Sequence, residues 1–401
     1  MPEAVIVATA RTPIGRAFKG SMTELRPDDL TATIIRAAME KVPQVSPQDV
    51  DDLMLGCGLP GGEQGFNMAR VVSTLLGWDT VPGTTITRYC SSSLQTTRMA
   101  MHAIRAGEGD VFVSAGVEMV SRFVKGNSDT LEDTRNPAFA EAQRRTEERA
   151  EKGADTWEPS DLPDIYIPMG QTAENVALLK DVSRERMDDF AYESQTRYAK
   201  AAAEGFWERE ITPIELPNGE VLSTDDSPRP ADRDKMAELQ PVFRPDGRVT
   251  AGNACPLNDG AAAVIVMSDV KAKQLGITPL ARIVSTGVTG LDPEIMGLGP
   301  VEASKQAMAR AGITAADLDL VEINEAFAAQ VIPSADELGV DFDKLNPHGG
   351  AIAVGHPFGM TGARITGTLL NGLDYRDGTL GLETMCVGGG QGMAMVVERL
   401  S

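Results

Sequence analysis

Histidine is scarce in this chain: three residues among 401, His102, His348 and His356. Cysteine is nearly as scarce, and Cys57, Cys90, Cys255 and Cys386 lie far apart with no C-x-x-C pair. That spacing provides neither a disulfide framework nor clustered metal ligands, so the expectation is a reduced, cytoplasmic protein with no metal site. Basic residues are outnumbered, 37 Lys and Arg against 58 Asp and Glu, for a formal net charge of −21. A surface of that sign excludes broad binding to nucleic acid or anionic membranes, although local donors can still hold a small anion. Long apolar runs are also missing. Runs such as residues 261–267 are far too short to span a bilayer. The start, Met1-Pro2-Glu3-Ala4-Val5-Ile6-Val7-Ala8, has no basic n-region and no long h-region. It reads as a first strand rather than a signal peptide. The last residues, Glu398-Arg399-Leu400-Ser401, match no address signal.

What remains is a globular composition, 42% apolar and 24% charged. At 401 residues the chain exceeds one ordinary core, so two or three domains are expected. Short runs at residues 4–8, 53–57, 111–115 and 261–267 read as buried strands. Leu30, Ile34, Ile35, Ala38 and Met39 share one helical face. The alternation predicts an α/β protein whose sheets are covered by helices.

An internal repeat refines that reading. Val45-Ser46-Pro47-Gln48-Asp49-Val50-Asp51-Asp52-Leu53-Met54-Leu55 aligns with Ile313-Thr314-Ala315-Ala316-Asp317-Leu318-Asp319-Leu320-Val321-Glu322-Ile323. At nearly the same offset, Cys90 falls on His356, and each precedes a stretch that looks helical. A duplicated α/β unit is expected, with Cys90 and His356 at equivalent strand-to-helix junctions that a pseudo-twofold packing can bring together. Residues 122–250 differ: they are rich in charge and proline, as in Arg144-Arg145-Thr146-Glu147-Glu148-Arg149, and read as a partly helical excursion covering a site. The plain account of those charges is a solvated face.

Three short motifs carry chemistry. Cys90, in Arg88-Tyr89-Cys90-Ser91-Ser92-Ser93, sits where free helix N–H groups can lower a thiol pKa, which makes it a candidate nucleophile. Its serine neighbours leave room for substrate. His356 lies between Gly355 and Pro357, with Gly359 beyond. The glycines allow close approach to a ligand, the proline fits a first helical position, and a neutral imidazole there can take the thiol proton. Cys386 precedes Val387 and three glycines, Gly388, Gly389 and Gly390, whose N–H groups can form an oxyanion hole. Poised near neutral pKa, that second thiol can move a proton to or from carbon. In Asn324-Glu325-Ala326-Phe327 a side-chain amide can anchor a water or a thioester oxygen. Met169, Met296 and Phe327 can line an apolar slot. The competing account of each is ordinary: a buried small residue, a turn histidine, a helix cap, core packing.

Together these residues resemble the thiolases, the acyl-CoA C-acyltransferases. The resemblance runs through Arg11-Thr12-Pro13-Ile14-Gly15, the Cys90 segment, Met169-Gly170-Gln171-Thr172-Ala173-Glu174-Asn175, Val249-Thr250-Ala251-Gly252-Asn253, Asn324-Glu325-Ala326-Phe327, Gly355-His356-Pro357 and Cys386-Val387-Gly388, nearly the whole chain. It implies two βαβαβ-type halves in a layered αβαβα core. The N-terminal half would span residues 1–121 and be completed by 250–272. A loop domain, 122–249, would cover the coenzyme A site, and the C-terminal half would span 273–401. By the resemblance Cys90 is the acyl-accepting nucleophile, His356 its activator, Asn324 the holder of a catalytic water and Cys386 the acid/base at the α-carbon. The N–H groups of Cys90 and Gly388 form the oxyanion hole. Met169, Arg229, Ala254, Cys255, Met296, Ala326 and Phe327 fall at substrate or coenzyme A contacts. Coenzyme A is a co-substrate, with no permanently bound cofactor. A homodimer or homotetramer is implied, with a β-oxidation partner subunit as a further possibility. One departure stands out: Cys255-Pro256 occupies a place where many relatives have Ser-Gly and the serine contacts the pantetheine arm. Cys57 and His348 receive no catalytic role. Two rival readings are a ketoacyl synthase-like condensing enzyme, which would lack the second cysteine, and a non-catalytic lipid-binding subunit, which would have no need of all four site residues.

Overall fold

The two copies of the internal repeat begin with the same local device. Ser46 and Asp49 form a reciprocal capping box, and so do Thr314 and Asp317. In each copy a further aspartate then stitches two strands together. Asp51 accepts from the N–H groups of Asp110 and Val111 at 2.7 and 2.9 Å, and Asp319 accepts from those of Thr379 and Leu380 at the same two distances. A short Asp side chain that satisfies two backbone donors sets where the neighbouring strand starts.

The computed structural model of the protein describes residues 1–129 and 132–401. The first half comprises β1 (Ala4–Arg11), β2 (Gly15–Arg16), α1 (Pro27–Glu40), β3 (Asp52–Cys57), α2 (Met68–Leu75), β4 (Gly83–Ile86), α3 (Ser92–Ala106) and β5 (Val111–Met119). An excursion carries α4 (Ala140–Lys152), α5 (Met169–Leu179), α6 (Arg184–Ala203), β6 (Ile214–Glu215), β7 (Val221–Leu222) and α7 (Arg233–Ala237). The chain then returns through β8 (Asn258–Ser268) and α8 (Asp269–Leu275). The second half comprises β9 (Ala281–Gly290), α9 (Gly299–Ala311), β10 (Leu320–Ile323), α10 (Ala328–Leu338), α11 (Ala351–Val354), α12 (Thr361–Tyr375), β11 (Leu380–Val387) and β12 (Gln391–Arg399). All four strands expected from the sequence, and the helix bearing Leu30 and Ile34, are present.

Strand order exposes the duplication. It runs β10-β11-β12-β9-β1-β8-β5-β3-β4. β5 lies parallel to β3 and antiparallel to β8, and β8 lies antiparallel to β1. In the same way β11 lies parallel to β10 and antiparallel to β12, and β12 lies antiparallel to β9. Even the place of β4 has an echo, a single parallel bridge from Val321 to Leu345. Only two residue pairs join β1 to β9. β5 and β8 are buried along their whole length because helices cover both faces of the sheet.

Helices α3 and α12 pack together between the two halves, with α1 and α9 outside, which is a layered α/β architecture. Small residues permit the central contact. A Cβ on Gly362 would lie 2.3 Å from the Leu94 nitrogen, and Ser93 Oγ accepts from Ala363 N–H at 2.9 Å.

A buried ionic layer lies under α12. Arg11 pairs with Glu210 at 2.5 Å and with Asp225 at 2.7 Å. Glu322 and Glu383 are directly opposite on β10 and β11 and fully buried. Burial pushes both carboxyls up to about 8, against an ordinary value near 4.5. A carboxyl raised in the folded state contributes stability that is fully present below its ordinary value and is lost as pH rises through the raised one. Glu322→Gln is therefore expected to lose less melting temperature than the wild type between about pH 5 and 9. Thermal melts at matched ionic strength check this, and parallel curves would remove Glu322 from the account.

Candidate active site

Cys90 comes at the sharpest point of the chain between β4 and α3. Tyr89 has φ +42°, a left-handed conformation that costs a non-glycine residue about 1–3 kcal/mol. A short 3-10 turn, Tyr89–Ser91, then leads into α3, so the helix proper starts two residues later than Cys90. The serines are engaged rather than open. Ser91 Oγ donates to Arg88 C=O at 3.1 Å, Ser92 Oγ to Tyr89 C=O at 2.6 Å, and Ser93 reaches α12. The Cys90 sulfur takes the N–H of Gly388 and its own N–H, both of which favour the thiolate. Burial outweighs them and pushes the thiol up to about 12. The expectation of a lowered thiol pKa is therefore corrected: with only 7% exposure, the cost of burying a charge exceeds what two N–H donors return.

His356 is held from both ends. Its Nδ1 lies 2.6 Å from Thr361 Oγ1, and the Thr361 hydroxyl donates its one proton to Pro357 C=O at 2.8 Å. Thr361 can then only accept from the imidazole, which puts the ring proton on Nδ1 and the lone pair on Nε2. Asn324 Nδ2 lies 3.2 Å from Nε2 and 3.5 Å from Nδ1, beside the ring rather than along the Nε2 lone pair, and Asn324 Oδ1 is buried with no hydrogen-bond partner among the described residues. Burial, with a contribution from Arg364, lowers the imidazole to about 3. A neutral thiol and a neutral imidazole are thus the resting pair.

Two glycines beside His356 do a different job from the one expected. Gly355 has φ +117°, and a Cβ there would lie 2.6 Å from the Asn258 side chain. A Cβ on Gly359 would lie 2.3 Å from Val117 C=O. Both approach protein, seating the loop of the second half on β8 and β5 of the first. Pro357 also lies outside the helix, which starts at Thr361.

Glu118 reinforces that seat, and nothing in the sequence reading singled it out. Its buried carboxylate accepts from Gly58 N–H at 2.7 Å, Gly359 N–H at 2.8 Å and Gln64 Nε2 at 2.8 Å. It therefore ties the loop after β3 to the His356 loop. A buried acidic residue inside the apolar strand Val111–Met119 was the available signal.

Cys386 ends β11, fully buried. Burial raises its thiol well above the ordinary range, with the neighbouring Cys90 and Cys255 adding to the shift. The expectation of a near-neutral value is corrected for the same reason as at Cys90. Met296, Ala326 and Cys386 form one apolar cluster, and Met169 and Phe327 pack against it. Of the three residues expected to line an apolar slot, Met169 also lines a cavity, while Met296 and Phe327 are packed in this cluster.

Two cavities serve the cluster. One of about 230 Å³ is lined by Cys90, Gly388, Met169, Phe358, Tyr166 and Arg135, among others. The second, of about 370 Å³, is lined by Arg16, Lys19, Arg229, Ala254, Cys255 and Pro256, among others. Cys255 is partly exposed there, and its own N–H donates to Ala326 C=O at 3.1 Å. Cys57 lies against Glu118 at 3.8 Å, and His348 stacks on Phe206 at 3.8 Å between centroids. Among the described residues no group of three or more His, Cys, Asp or Glu side chains is arranged to hold a metal ion.

The comparisons with known proteins agree with this architecture. The family described as thiolase, N-terminal domain, matches residues 4–270, and that described as thiolase, C-terminal domain, matches 277–399. The chain is similar to the 3-ketoacyl-CoA thiolase of Bacillus subtilis (strain 168), 42% identical over 99% of this chain and 100% of that protein. It is 41% identical to the 3-oxoadipyl-CoA/3-oxo-5,6-dehydrosuberyl-CoA thiolase of Escherichia coli (strain K12), over the full length of both. Among solved structures, the acetyl-CoA acetyltransferase of Bacillus anthracis superposes with a TM-score of 0.86 at 36% identity, covering 100% of this chain and 99% of that one. Human mitochondrial 3-ketoacyl-CoA thiolase in complex with CoA gives 0.85 at 34%, covering 100% and 98%. These likenesses define an acyltransferase of layered α/β fold. The chain belongs to the thiolase family.

The geometry makes a direct prediction about the imidazole. Nitrogen-15 NMR of the wild type is expected to find His356 protonated at Nδ1, and Thr361→Ser is expected to keep that state. Thr361→Val removes the acceptor and is expected to give mixed tautomers. An unchanged spectrum in Thr361→Val would mean that another group sets the tautomer.

Proposed function

We propose that the protein is an acyl-CoA C-acyltransferase that cleaves a 3-ketoacyl-CoA with coenzyme A, or runs the reverse condensation, through an acyl-cysteine. The observation carrying this reading is the gathering of four groups from separate parts of the chain. The Cys90 sulfur faces the Gly388 N–H, the His356–Asn324 pair lies beside the loop that lines the same cavity, and Cys90 is close enough to raise the Cys386 thiol further.

In the cleavage direction His356 Nε2 takes the thiol proton as Cys90 attacks the 3-keto carbon. Because the resting pair is neutral, this transfer accompanies the attack. The N–H groups of Cys90 and Gly388 receive the developing oxyanion. The C2–C3 bond then breaks, and acetyl-CoA leaves as its enolate, protonated at C2 by Cys386. Burial makes this thiol a weaker acid than a free one, but an enolate carbon is a much stronger base than a thiolate, so the proton still passes to C2. The coenzyme A thiol gives its proton to the Cys386 thiolate and attacks the acyl-Cys90 carbonyl; the Cys90–acyl bond breaks, the departing Cys90 thiolate takes its proton back from His356, and the free enzyme returns. Asn324 Oδ1, which has no partner among the described residues, is an acceptor for a bound water or a substrate group.

The second cavity is the proposed coenzyme A entry, with Arg229 exposed at its rim and Ala254 and Cys255 on its wall. Cys255 donates weakly through its thiol, so its backbone contact to Ala326 is the firmer feature of that wall. The segment 122–249 is proposed as the covering domain, since it contributes Met169, Tyr166 and Arg135 to the acyl cavity. A homo-oligomer is proposed on two surface features: β4 is the outermost strand of the sheet, and Phe66 nearby is 95% exposed. The proposed setting is cytoplasmic acyl-chain breakdown of the β-oxidation type. No helix among the described residues is long and apolar enough to cross a membrane.

Mass spectrometry tests the reading. Incubation with acyl-CoA is expected to acylate Cys90, and Cys90→Ser is expected to lower turnover by roughly 10³-fold or more. Cys386→Ala is expected to keep acylation from acyl-CoA while losing carbon–carbon cleavage. Full turnover in Cys90→Ser would overturn the assignment, and equal loss of both half-reactions in Cys386→Ala would remove the division of labour between the thiols.

A further inference from the structure

Among the described residues three aromatic side chains sit on a left-handed backbone: Phe18 at φ +62°, Phe66 at +58° and Tyr89 at +42°. A bulky residue there is a strained outlier, and strain of that kind persists where the surroundings impose it and a function uses it. Tyr89 opens the turn of Cys90 and lines the first cavity. Phe18 lines the second cavity, and Phe66 lines neither. The Phe18 turn is firmly built. Phe18 N–H donates to Ser121 Oγ at 2.7 Å, and the buried Asp259 fixes Ser121, accepting from its N–H at 2.9 Å and its hydroxyl at 2.5 Å. Gly20 N–H closes the turn on Arg16 C=O at 2.7 Å. The ring itself is 54% exposed and belongs to none of the apolar clusters formed by the described residues.

The same turn carries unpaired positive charge. Arg16 and Lys19 flank Phe18 and line the second cavity with it, and Arg229 joins them from the excursion. Arg229 donates to Ala251 C=O at 2.9 Å, and among the described residues none of the three cations has a carboxylate partner. Asp226 is the one acid on that cavity wall, and the turn itself consumes it. It accepts from Arg16 N–H at 3.1 Å, from Ser21 N–H at 2.8 Å and from the Ser21 hydroxyl at 2.8 Å. Three cations around one engaged carboxylate, in a chain of net charge −21, mark a place for an anion. The cavity also has a direction. At its inner end Cys255 N–H bonds Ala326 C=O, and Ala326 packs with Cys386. At its outer end Arg16, Phe18 and Lys19 are exposed.

We propose that Phe18 is a stacking platform for the adenine of coenzyme A, and that Arg16 and Lys19 on either side of it take the phosphates of the same nucleotide. The order of groups along the ligand matches the order along the cavity. The thiol belongs at the inner end, the pantetheine arm passes Ala254 and Cys255, and the base and phosphates come last, where the ring and the cations stand. A base needs a flat apolar face that no other side chain covers, and the strained turn holds the Phe18 ring clear of the core. Cations beside that face then hold the charged part of the ligand. Such a seat reads the carrier and not the acyl chain, so it favours coenzyme A over smaller thiols whatever substrate the first cavity takes.

This inference rests on the second cavity being the coenzyme A entry, and a binding measurement keeps the two apart. Calorimetric titration of the full chain with coenzyme A is expected to give a Kd that rises roughly tenfold in Phe18→Gly and in Phe18→Leu, and by less than about twofold in Phe18→Trp. Glycine adopts a positive φ without strain, so the turn survives and only the ring face is lost. The double variant Arg16→Gln with Lys19→Gln is expected to bind coenzyme A more weakly and with a flatter dependence on salt. In turnover, the preference for coenzyme A over N-acetylcysteamine, a thiol without a nucleotide, is expected to fall roughly tenfold in Phe18→Gly, through KM and not kcat. An unchanged Kd for coenzyme A in folded Phe18→Gly overturns the seat and leaves the entry in place. An equal loss with both thiols overturns it too, since the ring would then act on the site and not on the nucleotide. Retained turnover in Cys90→Ser would instead sink the reading of the reaction and leave the binding comparison standing.

Discussion

Everything at this site depends on how closely two helix starts can approach. α3 begins just after Cys90, and α12 begins just after the His356 loop. They meet because Gly362 has no Cβ to strike Leu94, and because Ser93 gives Ala363 N–H a buried acceptor. Interiors pack at crystal density, so one added methyl group at Gly362 would have to displace backbone rather than slip into space. The polar bond fixes the register of the approach, and the missing side chain allows it. Glu118 then clamps the loops on either side of this contact with bonds to both halves of the chain.

Burial is the second consequence of that packing, and it decides the acid–base chemistry. The same closeness that assembles Cys90, His356 and Cys386 removes water from all three. Each is therefore driven toward its uncharged form, the thiols upward and the imidazole downward. Two N–H groups on the Cys90 sulfur cannot reverse this, but they are well placed for a charge that appears only when substrate carbon is attacked. A neutral resting site that hands protons over during bond making suits a chemistry whose charged species are transient.

The duplication explains why one site needs both halves. Each half supplies a parallel pair of strands and a helix packed on it, but the expected equivalence of strand-to-helix junctions is corrected: Cys90 follows the strand β4, whereas His356 follows the short helix α11, and what meets are the turns that open α3 and α12. One junction carries the sulfur and the other the nitrogen. The excursion between β5 and β8 supplies walls to the cavities, where Met169 and Tyr166 meet Cys90, and Arg229 and Cys255 line the second opening.

Local patterns in the chain were enough to determine the strands at β1, β3, β5 and β8, the repeat at residues 45–55 and 313–323, and the small set of residues able to do this chemistry. These are read from neighbours a few positions apart, through alternation, capping and glycine. The resemblance to thiolases rested on the same short motifs. Tertiary structure alone decided the protonation states, the tautomer of His356, and the role of Gly355 and Gly359 as docking points. It did so because desolvation and hydrogen-bond partners come from residues such as Glu118 and Asn258, which lie far from Cys90 or His356 along the chain. A pKa depends on what surrounds a group in space, and the order of residues does not record that.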